Sequence, residues 1–191
     1  LVQTDLKTGI ERVVRALLRE LLINPPEGMQ VEAVHASPAS PGYRYARKFT
    51  CHLLGTPDDW CRDEMAEVWE GDVFVALDFL QSKLPEQTDL LNQWRTRGVK
   101  VFAVVYDLLP LLFPHHFPAS SAPLHQRWLE AATTLDGAIA ISRSVADELV
   151  DWLEAHGDKN RRRPFEIHHI HLGADIETSV PTKGIPVDVG P

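Results

Sequence analysis

Four short apolar runs recur along this chain at intervals typical of strands that alternate with helices. They cover residues 73–77, 101–105, 138–141 and 165–170. Each run is rich in β-branched residues and almost wholly apolar, as strands are when both faces of a parallel sheet are covered. A repeat of roughly 30 residues fits strand–helix–strand crossovers. The pattern therefore predicts an α/β fold, a doubly wound, mainly parallel Rossmann-like sheet with helices on both faces.

Helical periodicity fills the gaps between these runs and also precedes them. The predicted helices cover residues 10–22, 86–97, 122–135 and 144–155. Asn24-Pro25-Pro26 ends the first helix. Ser142 or Ser144 is the expected N-cap of the last, with Glu148 in a capping box. Since the first helix should follow a strand, we expect that strand upstream of residue 1. Residues 35–42, rich in Pro, Ser and Gly, are expected to form a mobile loop.

Length and charge narrow the function classes. The 191 residues suit one domain, expected at 1–176, with 177–191 as a linker toward a further domain. Lys plus Arg number 19 and Asp plus Glu number 27, so the net charge is 19 − 27 = −8. This balance argues against nucleic acid as a partner and requires any phosphate site to be local. Two cysteines without a CxxC motif, and no apolar run of membrane-spanning length, make the cytoplasm the expected location.

Candidate site residues follow the predicted strands, because ligands of doubly wound sheets bind at the carboxyl ends of the strands. We expect a cluster there, with a cationic Arg available for phosphate. The cluster contains Asp78, Tyr106, Asp107, Ser142 and Arg143. A plainer interpretation stays open for three of these residues. In it, Asp107 only caps a turn before a proline, and Ser142 is only an N-cap followed by a solvated Arg143.

Two further features are ambiguous. The helix entrance at Thr8-Gly9 offers free backbone N–H groups for an anion or a hydroxyl, but also fits an ordinary helix start. Neither a GxGxxG nor a P-loop motif accompanies it. His169 and His171 would face the same side of a strand, yet the sequence places no third metal ligand beside them. These histidines are expected to be structural or solvated.

Taken in order, four segments resemble the acceptor-binding N-terminal half of retaining GT-B glycosyltransferases of family 4. This group includes bacterial mannosyl- and rhamnosyltransferases of polysaccharide assembly. The segments are DLKTGIERVVR at 5–15, VVYDLLPLLFP at 104–114, ISRSVADEL at 141–149 and HLGADI at 171–176. Many relatives carry His-Asp where this chain has Tyr106-Asp107, which is a departure from the family pattern.

The resemblance implies a hexosyltransferase that moves mannose from GDP-mannose, with retention, to a growing polysaccharide or lipid-linked glycan. It implies catalytic roles for Asp107 and Tyr106, and no metal or other cofactor. The implied substrate-binding residues are Thr8, Gly9, Arg12, Asp78, Ser142 and Arg143. The sugar nucleotide would bind mainly to a separate C-terminal domain, so this chain alone is expected to be inactive. The apolar loop 108–113 is a candidate peripheral contact at the inner face of the cell membrane.

Two alternatives remain. One is a sugar-nucleotide epimerase that uses the same two-domain cleft. The other is a non-catalytic glycan-binding or scaffold domain, which the Tyr106 departure mildly favours.

Overall fold

The computed structural model describes residues 9–36, 42–79, 81, 83–157 and 163–173. Within these ranges the chain forms six strands, six α-helices and one 3₁₀ turn. The helices are α1 (Gly9–Ile23), α2 (Arg47–Leu54), α3 (Lys83–Thr96), α4 (Leu109–Leu112), α5 (Ser121–Ala132) and α6 (Arg143–His156), and the 3₁₀ turn is Pro114–His116. The strands are β1 (Val34–Ala36), β2 (Tyr43–Tyr45), β3 (Val73–Ala76), β4 (Lys100–Val105), β5 (Gly137–Ala140) and β6 (Glu166–His169).

The central sheet is parallel and follows the order of the sequence, β3-β4-β5-β6. Val105 at the end of β4 pairs with Ala140 at the end of β5, and Ala140 pairs with His169 at the end of β6. These three strands therefore end level with one another. All four predicted strands are confirmed, with ends that differ by at most one residue.

Helices cover both faces of this sheet, as the sequence predicted. Side chains alternate along a strand, so Ala103 and Val105 of β4 point to one face and Val104 to the other. The first face packs against α3, α5 and α6 in the largest core cluster. The second face packs against α1, where Val14 lies beside Val104. The α/β, Rossmann-like class is confirmed.

A short hairpin corrects the prediction of a loop over residues 35–42. β1 pairs antiparallel with β2, so His35 and Ala36 lie in a strand, while residues 37–41 lie outside the described part. The cause is tertiary packing: the Tyr43 ring lies 4.9 Å from that of Phe74 and 5.4 Å from that of Trp94. Burial of this ring in the core stabilises a strand too short to show any periodicity.

The start of α6 shows which of Ser142 and Ser144 is the N-cap. The Ser142 hydroxyl accepts the backbone N–H of Val145 at 3.2 Å, which makes Ser142 the N-cap. Ser144 lies inside the helix. The predicted capping box is wrong, because the box position three residues after the cap is Val145 and Glu148 lies one turn further on.

A buried ion pair lies at the amino ends of the strands. It joins Arg95 of α3 to Asp136, the residue directly before β5. Arg95 Nη2 lies 3.0 Å from Asp136 Oδ1, and the two side chains are 10% and 9% exposed. Asp136 Oδ2 also accepts the backbone N–H of Val101 at 2.9 Å. Burial raises the pKa of Asp136, but the bonds from Arg95 and Val101 outweigh it and leave that pKa lowered.

No helix in the described part of the chain is both long enough and apolar enough to cross a membrane. The predicted linker at 177–191 lies outside the described residues.

Candidate active site

Three of the predicted site residues lie at the same edge of the sheet. Asp78, Asp107 and Ser142 each stand two positions beyond the last residue of their strand, β3, β4 and β5 respectively. The level ends of β4 and β5 therefore bring Asp107 and Ser142 to neighbouring positions. This edge is the candidate active site.

Tyr106 is buried and tied to the neighbouring strand. Its hydroxyl donates to the carbonyl oxygen of Leu77 at 2.7 Å, and its ring packs with Val14 of α1. Burial, with a smaller contribution from the Asp78 carboxylate, raises the pKa of the Tyr106 hydroxyl. The phenol therefore stays neutral. Its hydrogen bond to Leu77 joins the residues that follow β3 and β4.

Asp107 is half-buried and shapes the turn that follows β4. Its Oδ1 accepts the backbone N–H of Leu109 at 3.0 Å, the turn-capping contact that the plainer interpretation required. A carboxylate has about four lone-pair sites on its two oxygens. One backbone bond therefore leaves acceptor capacity for a substrate hydroxyl, and the two interpretations of Asp107 are compatible.

Two ionisable residues that interact with Asp107 were not predicted as site residues, because they lie on helices and not directly after a strand. Burial, and then the Asp107 carboxylate, raise the pKa of Glu148 on α6. His125 on α5 is 1% exposed, and burial lowers the pKa of its ring, although the carboxylate and backbone of Asp107 act in the opposite sense. The sequence does hold a signal for His125, since it is the one polar residue in the buried stripe of α5 that continues with Trp128 and Leu129.

The two helix entrances are open. Gly9 is the first residue of α1, and among the described residues no atom would lie within 4 Å of a Cβ added there. Thr8 lies outside the described residues, and Arg12 is exposed. The Arg143 side chain is 76% exposed, with its Nε 3.8 Å from Asp147 Oδ2. The structure thus places Arg143 as a solvated residue in the first turn of α6, next to the strand tips but not enclosed by them.

An apolar surface continues from the site. Leu109, Leu112 and Phe113 are 41%, 46% and 53% exposed, although they are large hydrophobic residues. They belong to α4 and to the residue directly after it. The predicted loop 108–113 is therefore a short helix that presents apolar side chains to solvent.

The histidines near β6 remain at the surface. The rings of His169 and His171 lie 5.5 Å apart, and His168 Nε2 lies 3.3 Å from Glu166 Oε2. Within the described ranges, no three His, Cys, Asp or Glu side chains are grouped in a way that could hold a metal ion.

The amino-acid sequence of this chain is similar to those of bacterial mannosyltransferases. Three proteins of Escherichia coli, each named serotype-specific mannosyltransferase WbdA, are 33%, 33% and 32% identical to it over 188 residues. The alignments cover 97% of this chain and 22–23% of the relatives, so the chain spans about a fifth of their length. The resemblance to bacterial mannosyltransferases is thereby confirmed. No family model and no solved structure matches the chain.

Proposed function

We propose that the protein carrying this chain transfers mannose from GDP-mannose to a hydroxyl of a growing polysaccharide or lipid-linked glycan, with retention at the anomeric carbon. The observation that carries this proposal is the similarity to mannosyltransferases across 97% of the chain. In this proposal the chain is the acceptor-binding half of the enzyme, and a separate C-terminal domain holds most of the sugar nucleotide.

Glycosyl transfer passes through an oxocarbenium-like transition state, and here the leaving group is a nucleoside diphosphate. An acceptor hydroxyl must lie beside the anomeric carbon when that bond breaks. We assign this positioning to Asp107, which is half-buried at the tip of β4 and keeps acceptor capacity beyond its bond to Leu109. The nearby Glu148, whose pKa is raised, supplies a second carboxyl group toward the same acceptor.

The diphosphate requires positive charge, which a chain of net charge −8 offers only locally. The exposed Arg143 and the N-terminus of α6 lie at the strand tips, and the N-terminus of α1 begins at Gly9. Helix N-termini stabilise anions without a metal ion. We therefore propose that transfer needs no metal and that most of the diphosphate charge is met in the other domain.

The exposed apolar side chains of Leu109, Leu112 and Phe113 support a role in reaching a lipid-linked acceptor. They follow Asp107 directly in the sequence, so a lipid surface touching them would lie close to the proposed acceptor site. We therefore propose that the enzyme makes a peripheral contact with the inner face of the cell membrane.

The experiment uses the full-length protein with GDP-mannose and a fluorescent mannoside acceptor. GDP release and acceptor conversion are measured, and NMR of the product gives the anomeric configuration. We expect turnover with GDP-mannose and retention at the anomeric carbon. Asp107→Asn should lower kcat at least tenfold, whereas Asp89→Asn, an exposed carboxylate of α3, should leave it unchanged. Absence of turnover with every common sugar nucleotide would refute the proposal.

The same assay separates the alternatives. An epimerase would convert the sugar nucleotide with no acceptor present, and a scaffold domain would bind glycan without releasing GDP. The Tyr106 departure mildly favours the scaffold domain, but the similarity to mannosyltransferases across 97% of the chain supports a transferase instead.

A further inference from the structure

His125 is a buried polar residue that the proposed reaction does not yet use. It lies in the core-facing stripe of α5 and is 1% exposed. Within the described part of the chain, neither of its ring nitrogens has a hydrogen-bond partner. Buried polar groups in native proteins are nearly always bonded, so an unpartnered one calls for an explanation.

Packing alone does not require a histidine here. The His125 ring lies 5.1 Å from the ring of Phe79 and 5.9 Å from that of Trp128, and those two rings are 4.8 Å apart. A phenylalanine would complete this cluster of three rings and bury no polar atom. The imidazole nitrogens therefore serve something other than core packing.

α5, which carries His125, packs against the residues that follow two strands. The His125 ring lies beside that of Phe79, which follows β3. Leu108, directly after Asp107 at the tip of β4, is buried in the same core cluster as Trp128 of α5.

The electrostatic effects agree with this packing. The carboxylate and the backbone of Asp107 both act to raise the pKa of the His125 ring, against the larger effect of burial. The Asp107 carboxylate also helps burial to raise the pKa of Glu148 on α6. Asp107 thus influences two ionisable residues, of which His125 is the buried one.

We propose that His125 is a positioning residue for Asp107: in the substrate-loaded enzyme its one ring N–H donates to the Asp107 segment and fixes the carboxylate toward the acceptor hydroxyl. This inference rests on the proposed function. Burial lowers the pKa of His125, so the ring is neutral near pH 7 and carries one N–H donor and one acceptor nitrogen. A neutral donor can hold Asp107 in place without taking a proton from it.

Amide replacements test this role and identify the nitrogen. His125→Phe keeps a ring between Phe79 and Trp128 but removes the donor. His125→Asn places an N–H near the position of Nδ1, and His125→Gln places one near Nε2. In the full-length enzyme we expect His125→Phe to lower kcat at least tenfold, with KM for GDP-mannose changed less than twofold. One of the two amide variants should restore kcat to within threefold of wild type.

A double-mutant cycle with Asp107 shows whether His125 acts through that residue. If it does, adding His125→Phe to Asp107→Asn should lower kcat by less than twofold further. The matched control is His156→Phe, at an exposed histidine that stacks on Trp152 in α6, and it should leave kcat unchanged.

Three results overturn the inference while the proposed function stands. The first two are an active wild type whose His125→Phe variant keeps full kcat, and losses of kcat from the His125 and Asp107 substitutions that multiply. Loss of kcat in the phenylalanine variant with rescue by neither amide also overturns it. An inactive wild type refutes the proposed function, and the inference falls with it.

Discussion

Replacing Asp136 should be among the most damaging single changes to the stability of this domain. Asp136→Ala removes two bonds at once, to the Arg95 guanidinium at 3.0 Å and to the Val101 N–H at 2.9 Å. It leaves a buried positive charge and an unpaired backbone donor. Breaking a buried, hydrogen-bonded ion pair costs about 3–5 kcal/mol, so we expect a loss of about 4 kcal/mol in the free energy of unfolding.

Urea denaturation followed by tryptophan fluorescence measures this loss, because Trp94 and Trp128 are buried in the core. Arg95→Met should lower the free energy of unfolding by about 3 kcal/mol, because it leaves the buried Asp136 carboxylate without its positive partner. The double variant should lose at least about 2 kcal/mol less than the sum of the two, because neither charge is then left alone. Asp89→Ala, at an exposed position of α3, should stay within about 0.5 kcal/mol of wild type.

The pH dependence has a definite sign. The pKa of Asp136 is lowered in the folded state, so its stabilising contribution is fully present above the unfolded value of about 3.9. It is lost as the pH falls through the folded value. The stability difference between wild type and Asp136→Asn should therefore shrink below about pH 4. A cost below about 1 kcal/mol for Asp136→Ala, or strictly additive single costs, would refute this reasoning.

Three smaller perturbations can be measured in the same way. Gly137→Ala should destabilise the domain by about 1–3 kcal/mol, because the added Cβ would lie 2.3 Å from the carbonyl oxygen of Glu166; an unchanged midpoint would contradict this. Ser142→Ala should cost about 1 kcal/mol through the lost N-cap, whereas Ser144→Ala, at the second residue of α6, should cost less than half of that; equal costs would refute the cap assignment. Tyr106→Phe should cost about 1 kcal/mol by removing the hydrogen bond to the last carbonyl before Asp78, and a stabilised variant would argue against that bond.

The sheet could be predicted from the sequence because three of its four strands, β3, β4 and β5, are almost continuous apolar runs. The positions of Asp78, Asp107 and Ser142 followed from those runs, since parallel strands end at one edge. The cap at Ser142 was one of two expected positions, and only the backbone of α6 distinguishes them.

The missed features depend on contacts between distant segments. β1 and β2 have three residues each, and the aromatic packing of Tyr43 against Phe74 stabilises them more than any local preference does. His125 and Glu148 approach Asp107 only after two helices have packed on the sheet. Arg95 and Asp136 are 41 positions apart in the sequence, so no local sequence pattern predicts that they pair.

The division of the two sheet faces has a consequence for how the chain is made. α1 is synthesised before β4 and β5, but residues of those strands, among them Val104 and Ile139, cover part of its apolar side. Contacts this far apart in sequence form late. A nascent chain therefore carries α1 with part of its apolar side uncovered until β5 has left the ribosome, and a ribosome stalled before that point would display a target for chaperones.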